Sequence, residues 1–473
     1  MAILIKNGTL VTAAEQYQAD LLIDGERITA QGSGLPVSAD TQILNAAGKY
    51  VLPGGVDAHV HLDLPMFGTV SSDDHYTGTK AAAFGGTTTV IDFVSHDQRP
   101  LTACIEDLME KAGPKAAVDF GFHMNITHWD DQVAKELPGL LSNGISSIKV
   151  FSAYNGRLRL QDGEIFQVLR KAGENGILTM LHAENGDVID LLTSEIKAQG
   201  HTQPIWHARS HPNWGAVEAV LRGAALAAQA KAPLYIVHMN VAGEVDQLTY
   251  AREHGIKVLG ETCPQYLFFS EEDLERPDGA KWVCSPPMRK KVDNARLWQG
   301  VMNGEIQVVA TDHCPFFYDG TKPILFEGKP VAIPGKELGA GDFTKIPNGL
   351  PGVGDRLPIL WTYGVGQGKI SPSRFVDLCS TTPARIFGLY PRKGCLSPGS
   401  DADIVIWDPE CQVKYGVQTA QHRTDYNLYE GWALQGMPET VFLRGKIIVQ
   451  HNQWLGKPGM GKFLSRDPFS YQN

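Results

Sequence analysis

Two histidines one residue apart, His59 and His61, close a short apolar run that follows Pro53-Gly54-Gly55 and precedes Pro65. In a strand, side chains at i and i+2 leave the same face, so both imidazoles aim at one point while Val60 packs on the other side. Imidazole suits zinc and related divalent ions. A His-x-His pair alone also arises on half-exposed strands, so its weight comes from what recurs downstream. Later apolar runs carry Lys149 and end in His182, His238 and Asp312. Singly, each reads as a hydrogen-bonded structural residue or a turn cap. Six such positions recurring at strand ends read instead as one metal centre. His96, His123, His128 and His313 also fall near strand ends but pair with none of the set, and are read as structural.

Lys149 stands apart because an ammonium at an apolar strand end is desolvated and cannot ligate a metal. A neutral ε-amine that adds carbon dioxide becomes a carbamate, which is a carboxylate able to bridge two cations. A lysine that snorkels to the surface is the other reading of the same segment.

These residues need a scaffold that gathers strand ends. Eight β-like runs alternate with helical segments: Val56–His61, Thr88–Phe93, Val118–Ile126, Ser146–Val150, Ile177–His182, Leu234–His238, Lys257–Thr262 and Gln307–Asp312. The segments between, such as Leu101–Lys111, Gly163–Glu174, Trp214–Ala230, Val241–His254 and Asp293–Met302, have crossover-helix length and apolar spacing. The pattern predicts an α/β fold, a (β/α)8 TIM-like barrel with its chemistry at the C-terminal strand ends. An open doubly wound sheet is disfavoured, since no Gly-x-Gly-x-x-Gly follows the first strand.

Short β-like runs at the N-terminus, broken by the hairpin signals Asn7-Gly8 and Asp24-Gly25, are matched by Ala402–Trp407, Thr440–Leu443 and Lys446–Gln450 near the C-terminus. The two ends are expected to share a small β-sandwich domain. Residues 1–52 and 391–473, the latter with a C-terminal extension, would then flank a barrel of residues 53–390. Residues 327–354, rich in Gly and Pro, read as a long loop after the eighth strand. Residues 317–338 are expected to hang over or beside the pocket.

The totals exclude several classes. The chain has 473 residues, 43% hydrophobic and 20% charged, with no run long enough to span a bilayer. A net charge of −10 without a basic cluster argues against nucleic acid. Seven scattered cysteines without a Cys-x-x-Cys pair argue against a disulfide framework, and residues 1–8 lack a signal-peptide profile. A cytoplasmic location is expected.

Longer motifs sharpen the reading: Pro-Gly-Gly-Val-Asp-Ala-His-Val-His (53–61), Gly-Gly-Thr-Thr-Thr (85–89), Ile-Lys-Val-Phe-Ser-Ala-Tyr (148–154), His-Ala-Glu-Asn-Gly-Asp (182–187), Glu-Thr-Cys-Pro-Gln-Tyr-Leu (261–267), Cys-Ser-Pro-Pro-Met-Arg (284–289), Ala-Thr-Asp-His-Cys-Pro-Phe (310–316) and Ile-Pro-Asn-Gly-Leu-Pro-Gly (346–352). With these the chain resembles, nearly end to end, the cyclic amidohydrolases of the hydantoinase/dihydropyrimidinase type. The resemblance implies hydrolysis of the cyclic amide bond of hydantoins or 5,6-dihydropyrimidines to N-carbamoyl amino acids by a hydroxide bridging two Zn2+ ions per subunit, or other divalent ions. It implies that His59, His61 and Asp312 hold the more buried ion and His182 and His238 the more exposed one. Lys149, as N6-carboxylysine, would hold both. Asp312 would also shuttle the proton, and Tyr154 would stabilise the oxyanion. Ser285 and Asn348 would hold the ring amide, and Leu64, Met66, Phe151 and Leu158 would line the site of the exocyclic substituent. A homotetramer is usual for this family.

Two features depart from the family pattern: Met239-Asn240 after His238, and an apparently longer segment between Phe316 and Gly339. Dihydroorotase is disfavoured because Leu62-Asp63-Leu64, and not an arginine, follows His61. Allantoinase stays an alternative. A non-enzymatic scaffold relative would have lost ligand positions that this chain retains.

Overall fold

The computed structural model describes residues 2–66 and 68–471. All eight expected strands form: β1 (Gly55–Val60), β2 (Thr87–Val94), β3 (Asp119–Asn125), β4 (Ser147–Phe151), β5 (Leu178–His182), β6 (Leu234–Ile236), β7 (Val258–Thr262) and β8 (Val308–Val309). They pair in chain order, every neighbour parallel. β8 is only two residues long, so its ladder cannot close the circle alone. His61 N–H donates to the His313 carbonyl at 2.7 Å. Thr311 N–H donates to Asp57 Oδ1 at 3.2 Å, and the buried Arg356 donates to the carbonyls of Val56 and Val309 at 3.0 Å each. Side chains thus satisfy backbone groups that a longer strand would have paired.

Inside the barrel, Val56, Ala58, Leu178, Met180, Leu259, Val308 and Ala310 pack against Ile386, Phe387 and Leu464, so the interior is filled below the strand ends. Outside lie the helices Leu101–Ala112, Asp162–Glu174, Asn213–Ala230, Ala242–Glu253 and Lys291–Asn303. In Asp162–Glu174 the buried residues Ile165, Val168, Leu169 and Ala172 follow the i, i+3, i+4, i+7 stripe of a helix with one apolar face. Among the described residues no helix is long and apolar enough to cross a membrane.

Both chain ends enter one nine-stranded sheet, in which Tyr50–Pro53 pairs antiparallel with Ile404–Lys414. Ile3, Ile5, Leu21 and Ile23 from one end share a core with Ile404, Ile406 and Phe442 from the other. Asp24-Gly25 turns a hairpin, with Asp24 opposite Arg27. Asn7-Gly8 does not. It lies inside the continuous strand Ala2–Val11 as a bulge, with Asn7 at φ +62° and its N–H donating to Asp20 Oδ1 at 3.0 Å. The same left-handed preference that favours a turn here serves a bulge.

The segment after the eighth strand departs from expectation. Ile324–Phe326 and Lys329–Val331 form a hairpin, and no residue of 317–338 lines the cavity at the barrel mouth. Thr69 Oγ1 donates to the Pro334 carbonyl, and Glu327 pairs with Lys80 of the helix His75–Phe84. Anchored there, the segment lies beside the cavity, not in its lining, since Thr69 pairs with the cavity-lining Met66.

Candidate metal centre

Strand parity explains how the key side chains reach the interior, and where parity fails the backbone compensates. Lys149 and His182 are in phase with inward-facing neighbours, since Leu178 and Met180 line the interior whereas Ile148, Val150 and Leu181 pack outside. In β1, Val56 and Ala58 face inward, which by alternation would send His59 and His61 outward. A register irregularity between Asp57 and Val60 reverses the phase, and Val60 packs in the outer core. His238 meets the same problem, because Leu234 and Ile236 pack outside, and turns inward through φ +39°. Asp312 and Tyr154 also hold positive φ, at +52° and +68°. Left-handed backbone at three non-glycine residues around one cavity is the kind of strain that persists where surrounding structure enforces a working geometry.

His59 Nε2 and His61 Nε2 each lie 3.1 Å from Asp312 Oδ1, and ligand atoms of the three residues fall within 4.8 Å of one another. Lys149 Nζ is 3.0 Å from His59 Nε2. His182 Nδ1 and His238 Nε2 approach to 3.0 Å, and the His59 and His238 rings lie 5.4 Å apart, joining the two groups.

The donor set suits cations. His59 Nδ1 faces Glu261 Oε1 at 2.7 Å, which favours the proton on Nδ1 and leaves the Nε2 lone pair facing the Asp312 carboxylate. His182 Nε2 faces Glu184 Oε2 at 3.0 Å, which leaves its Nδ1 lone pair toward His238. Lone pairs turned toward one another without an intervening proton are what a divalent ion satisfies. Lys149 is 3% exposed, and no carboxylate among the described residues lies within 4.0 Å of its Nζ. Burial drives its pKa below the ordinary lysine value.

Above this floor lies a cavity of about 350 Å³. His61, Lys149, His182, His238 and Asp312 line it, as do Tyr154, Ser285, Asn348, Leu64, Met66, Phe151 and Leu158, while His59 sits buried beneath. The Tyr154 ring packs 4.9 Å from that of His182, and burial with nearby Glu184 raises its pKa, so the phenol is a neutral donor. Asn348 Nδ2 donates to Ser285 Oγ at 2.9 Å.

Sequence reasoning assigned no role to Glu261 or Glu184. Glu261 also accepts from Tyr235 OH at 2.8 Å and from His238 N–H at 3.2 Å, so one buried carboxylate touches both histidine groups. Its signal was available: it is in phase with the inward Leu259 at the end of β7. Glu184 is backed by Arg289 at 3.4 Å. Of the histidines read as structural, His123 contacts the Ala58 carbonyl at 2.9 Å, and His313 Nδ1 accepts from Gly352 N–H at 3.0 Å. His96 instead lines the cavity.

Comparison with known proteins agrees in kind. The model of the Amidohydrolase family matches residues 50–448. A D-hydantoinase of Geobacillus stearothermophilus is 45% identical over 470 residues, covering 98% of this chain and 97% of the relative. A D-hydantoinase of Ralstonia pickettii is 43% identical, covering 98% of this chain and 99% of the relative. The crystal structure of a dihydropyrimidinase from Brevibacillus agri superposes with a TM-score of 0.95 at 46% identity, covering 100% of both chains.

Proposed function

Since the chain belongs to the amidohydrolase family, in its hydantoinase/dihydropyrimidinase branch, and is a cyclic amidohydrolase, we propose that it opens hydantoin or 5,6-dihydropyrimidine rings to N-carbamoyl amino acids at a centre of two Zn2+ ions. The observation that carries this reading is the convergence of His59, His61 and Asp312 on one side of Lys149 Nζ, with the His182–His238 pair joined to them through the His59 ring.

In this reading His59, His61 and Asp312 hold one ion, His182 and His238 hold the other, and Lys149 holds both. The neutral Lys149 amine adds carbon dioxide and releases a proton to become the carbamate. Its burial without a carboxylate partner supports this, because an ammonium there is destabilised. When bound, the ions supply a water acidified toward neutrality and a Lewis-acid contact for the amide oxygen.

The chain's own groups do the rest. Asp312, within reach of both β1 histidines, takes the proton of the attacking water and delivers it to the leaving ring nitrogen. Tyr154 donates its phenol hydrogen to the developing oxyanion. Ser285 and Asn348, already hydrogen-bonded to each other, fix the ring amide, while Leu64, Met66, Phe151 and Leu158 exclude water on the side of the exocyclic group. We place the catalytic unit within a barrel of residues 53–390, with 1–52 and 391–473 as its companion domain, in a homotetramer of the cytoplasm. The test is turnover of purified zinc-loaded protein on dihydrouracil, dihydrothymine, hydantoin and 5-substituted hydantoins, read as N-carbamoyl product. Opening of at least one ring is expected, and no product from any of them overturns the reading.

A further inference from the structure

Between the strand ends that carry His61 and Lys149, β2 and β3 finish in Ser95-His96 and Asn125-Ile126-Thr127-His128. Ser95, His96, Asn125 and Thr127 line the same cavity as His61, Lys149 and Asp312. Asn125 is the ladder partner of Lys149. Phe93, two residues before Ser95, stacks on His61 at 4.8 Å and lies 4.5 Å from Lys149 Nζ. This wall therefore stands on the two strands between those of His61 and Lys149, yet it is polar where Leu64, Met66, Phe151 and Leu158 are not.

His96 is 7% exposed, and the Arg99 backbone approaches its ring without completing a well-formed hydrogen bond; the buried Asn125 Oδ1 has no hydrogen-bond partner among the described residues. The imidazole is nevertheless fixed. Its face stacks on the His128 ring with centroids 4.2 Å apart, and its backbone carbonyl accepts from Thr127 Oγ1 at 3.1 Å. A buried side chain kept for structure has its polar atoms paired within the protein. Here the ring face and the backbone are held while the hydrogen-bonding atoms are left without a well-formed bond at the cavity wall.

Resting on the cyclic-amide reading, we propose that Ser95, His96, Asn125 and Thr127 form a polar subsite for the exocyclic substituent, and that the enzyme prefers rings carrying an uncharged hydrogen-bonding group of the carboxamide or ureido class over alkyl or aryl ones. Burial and the neighbouring His128 hold the His96 pKa down to about 4, so at neutral pH the ring offers one donor and one acceptor nitrogen. An amide substituent presents the complementary pair. A carboxylate would find no cation among these four residues. A site built to hydrogen-bond a substituent rejects the analogue that leaves its buried groups unpaired, whereas an apolar wall discriminates weakly.

The experiment compares kcat/KM of the zinc-loaded enzyme for 5-(carbamoylmethyl)hydantoin and 5-isobutylhydantoin, side groups of nearly equal shape, with unsubstituted hydantoin and dihydrouracil as reference rings. The carbamoylmethyl substrate is expected to be favoured about tenfold or more, the worth of one well-made hydrogen bond. His96→Leu and Asn125→Leu should each lower that ratio about tenfold. The near-isosteric Asn125→Leu carries the variant test should His96→Leu fail to fold, and the wild-type ratio decides independently of both. A wild-type preference for isobutyl, or a ratio unmoved in the folded variants while a reference ring is still opened, overturns the subsite alone. Failure of the wild type to open any ring overturns the cyclic-amide reading and the subsite with it.

Discussion

Glu261 Oε1 lies 2.7 Å from His59 Nδ1 with both side chains fully buried, and the same oxygen accepts from the His238 backbone N–H at 3.2 Å. One carboxylate therefore orients the proposed ligands of both ions. A group that fixes the tautomer of a metal-bound imidazole is worth ~10–100-fold in metal affinity. Glu261→Gln, which keeps the shape and removes the charge, should fold and lose zinc to a competing chelator at ~10-fold lower chelator concentration or less. Wild-type retention of zinc would show that the carboxylate serves packing only.

Tyr154→Phe removes one proposed oxyanion donor and nothing from the ligand set. Metal content should stay at the wild-type level while kcat falls ~10²-fold or more. Wild-type kcat would remove Tyr154 from the mechanism.

Lys336 lies fully buried on the segment expected to hang over or beside the pocket, and its Nζ donates to the carbonyls of Val283 at 2.8 Å and Pro347 at 3.0 Å. Those carbonyls sit two residues before Ser285 and one before Asn348, so the lysine ties together the two strips proposed to hold the ring amide. Lys336→Met should raise KM more than it lowers kcat, and equal effects on both would contradict this positioning role. Burial drives the Lys336 pKa down to about 7 from the lysine value of 10.5. The unfolded chain therefore binds more protons than the folded one between about pH 7 and 10.5, so this group makes stability rise with pH through that window, and the loss on lowering pH is complete near pH 7. Melting temperatures from pH 6 to 10 should show a rise in the wild type that is smaller in Lys336→Met.

What the sequence revealed and what it concealed divide along backbone regularity. The strands were legible because β4 and β5 alternate cleanly, so Lys149 and His182 announce both their strand and their face. The inward turn of His238 and the phase reversal in β1 carry no periodic signal, since each depends on one dihedral angle or one bulge. His59 and His61 nevertheless converge on Asp312, as their spacing suggested, although the irregularity lies between Asp57 and Val60. Asn7-Gly8 was misread because a turn and a bulge ask for the same left-handed residue. The hairpin at 324–331 lay outside sequence reach because its direction is set by distant anchors, Thr69 and Lys80. His96 was read as structural for want of a sequence partner, and its unpaired nitrogens become visible only once burial is known.

The two-ion account depends most directly on Lys149, a buried amine whose proposed role requires a modification that the sequence does not encode. The deciding measurement is the ratio of bound zinc to protein chains, taken with turnover, in the wild type and in Lys149→Ala. About two zinc ions per chain are predicted for the wild type, with loss of at least one ion and of activity in a variant that still folds. A Lys149→Ala protein with the wild-type zinc ratio and wild-type turnover would contradict the account.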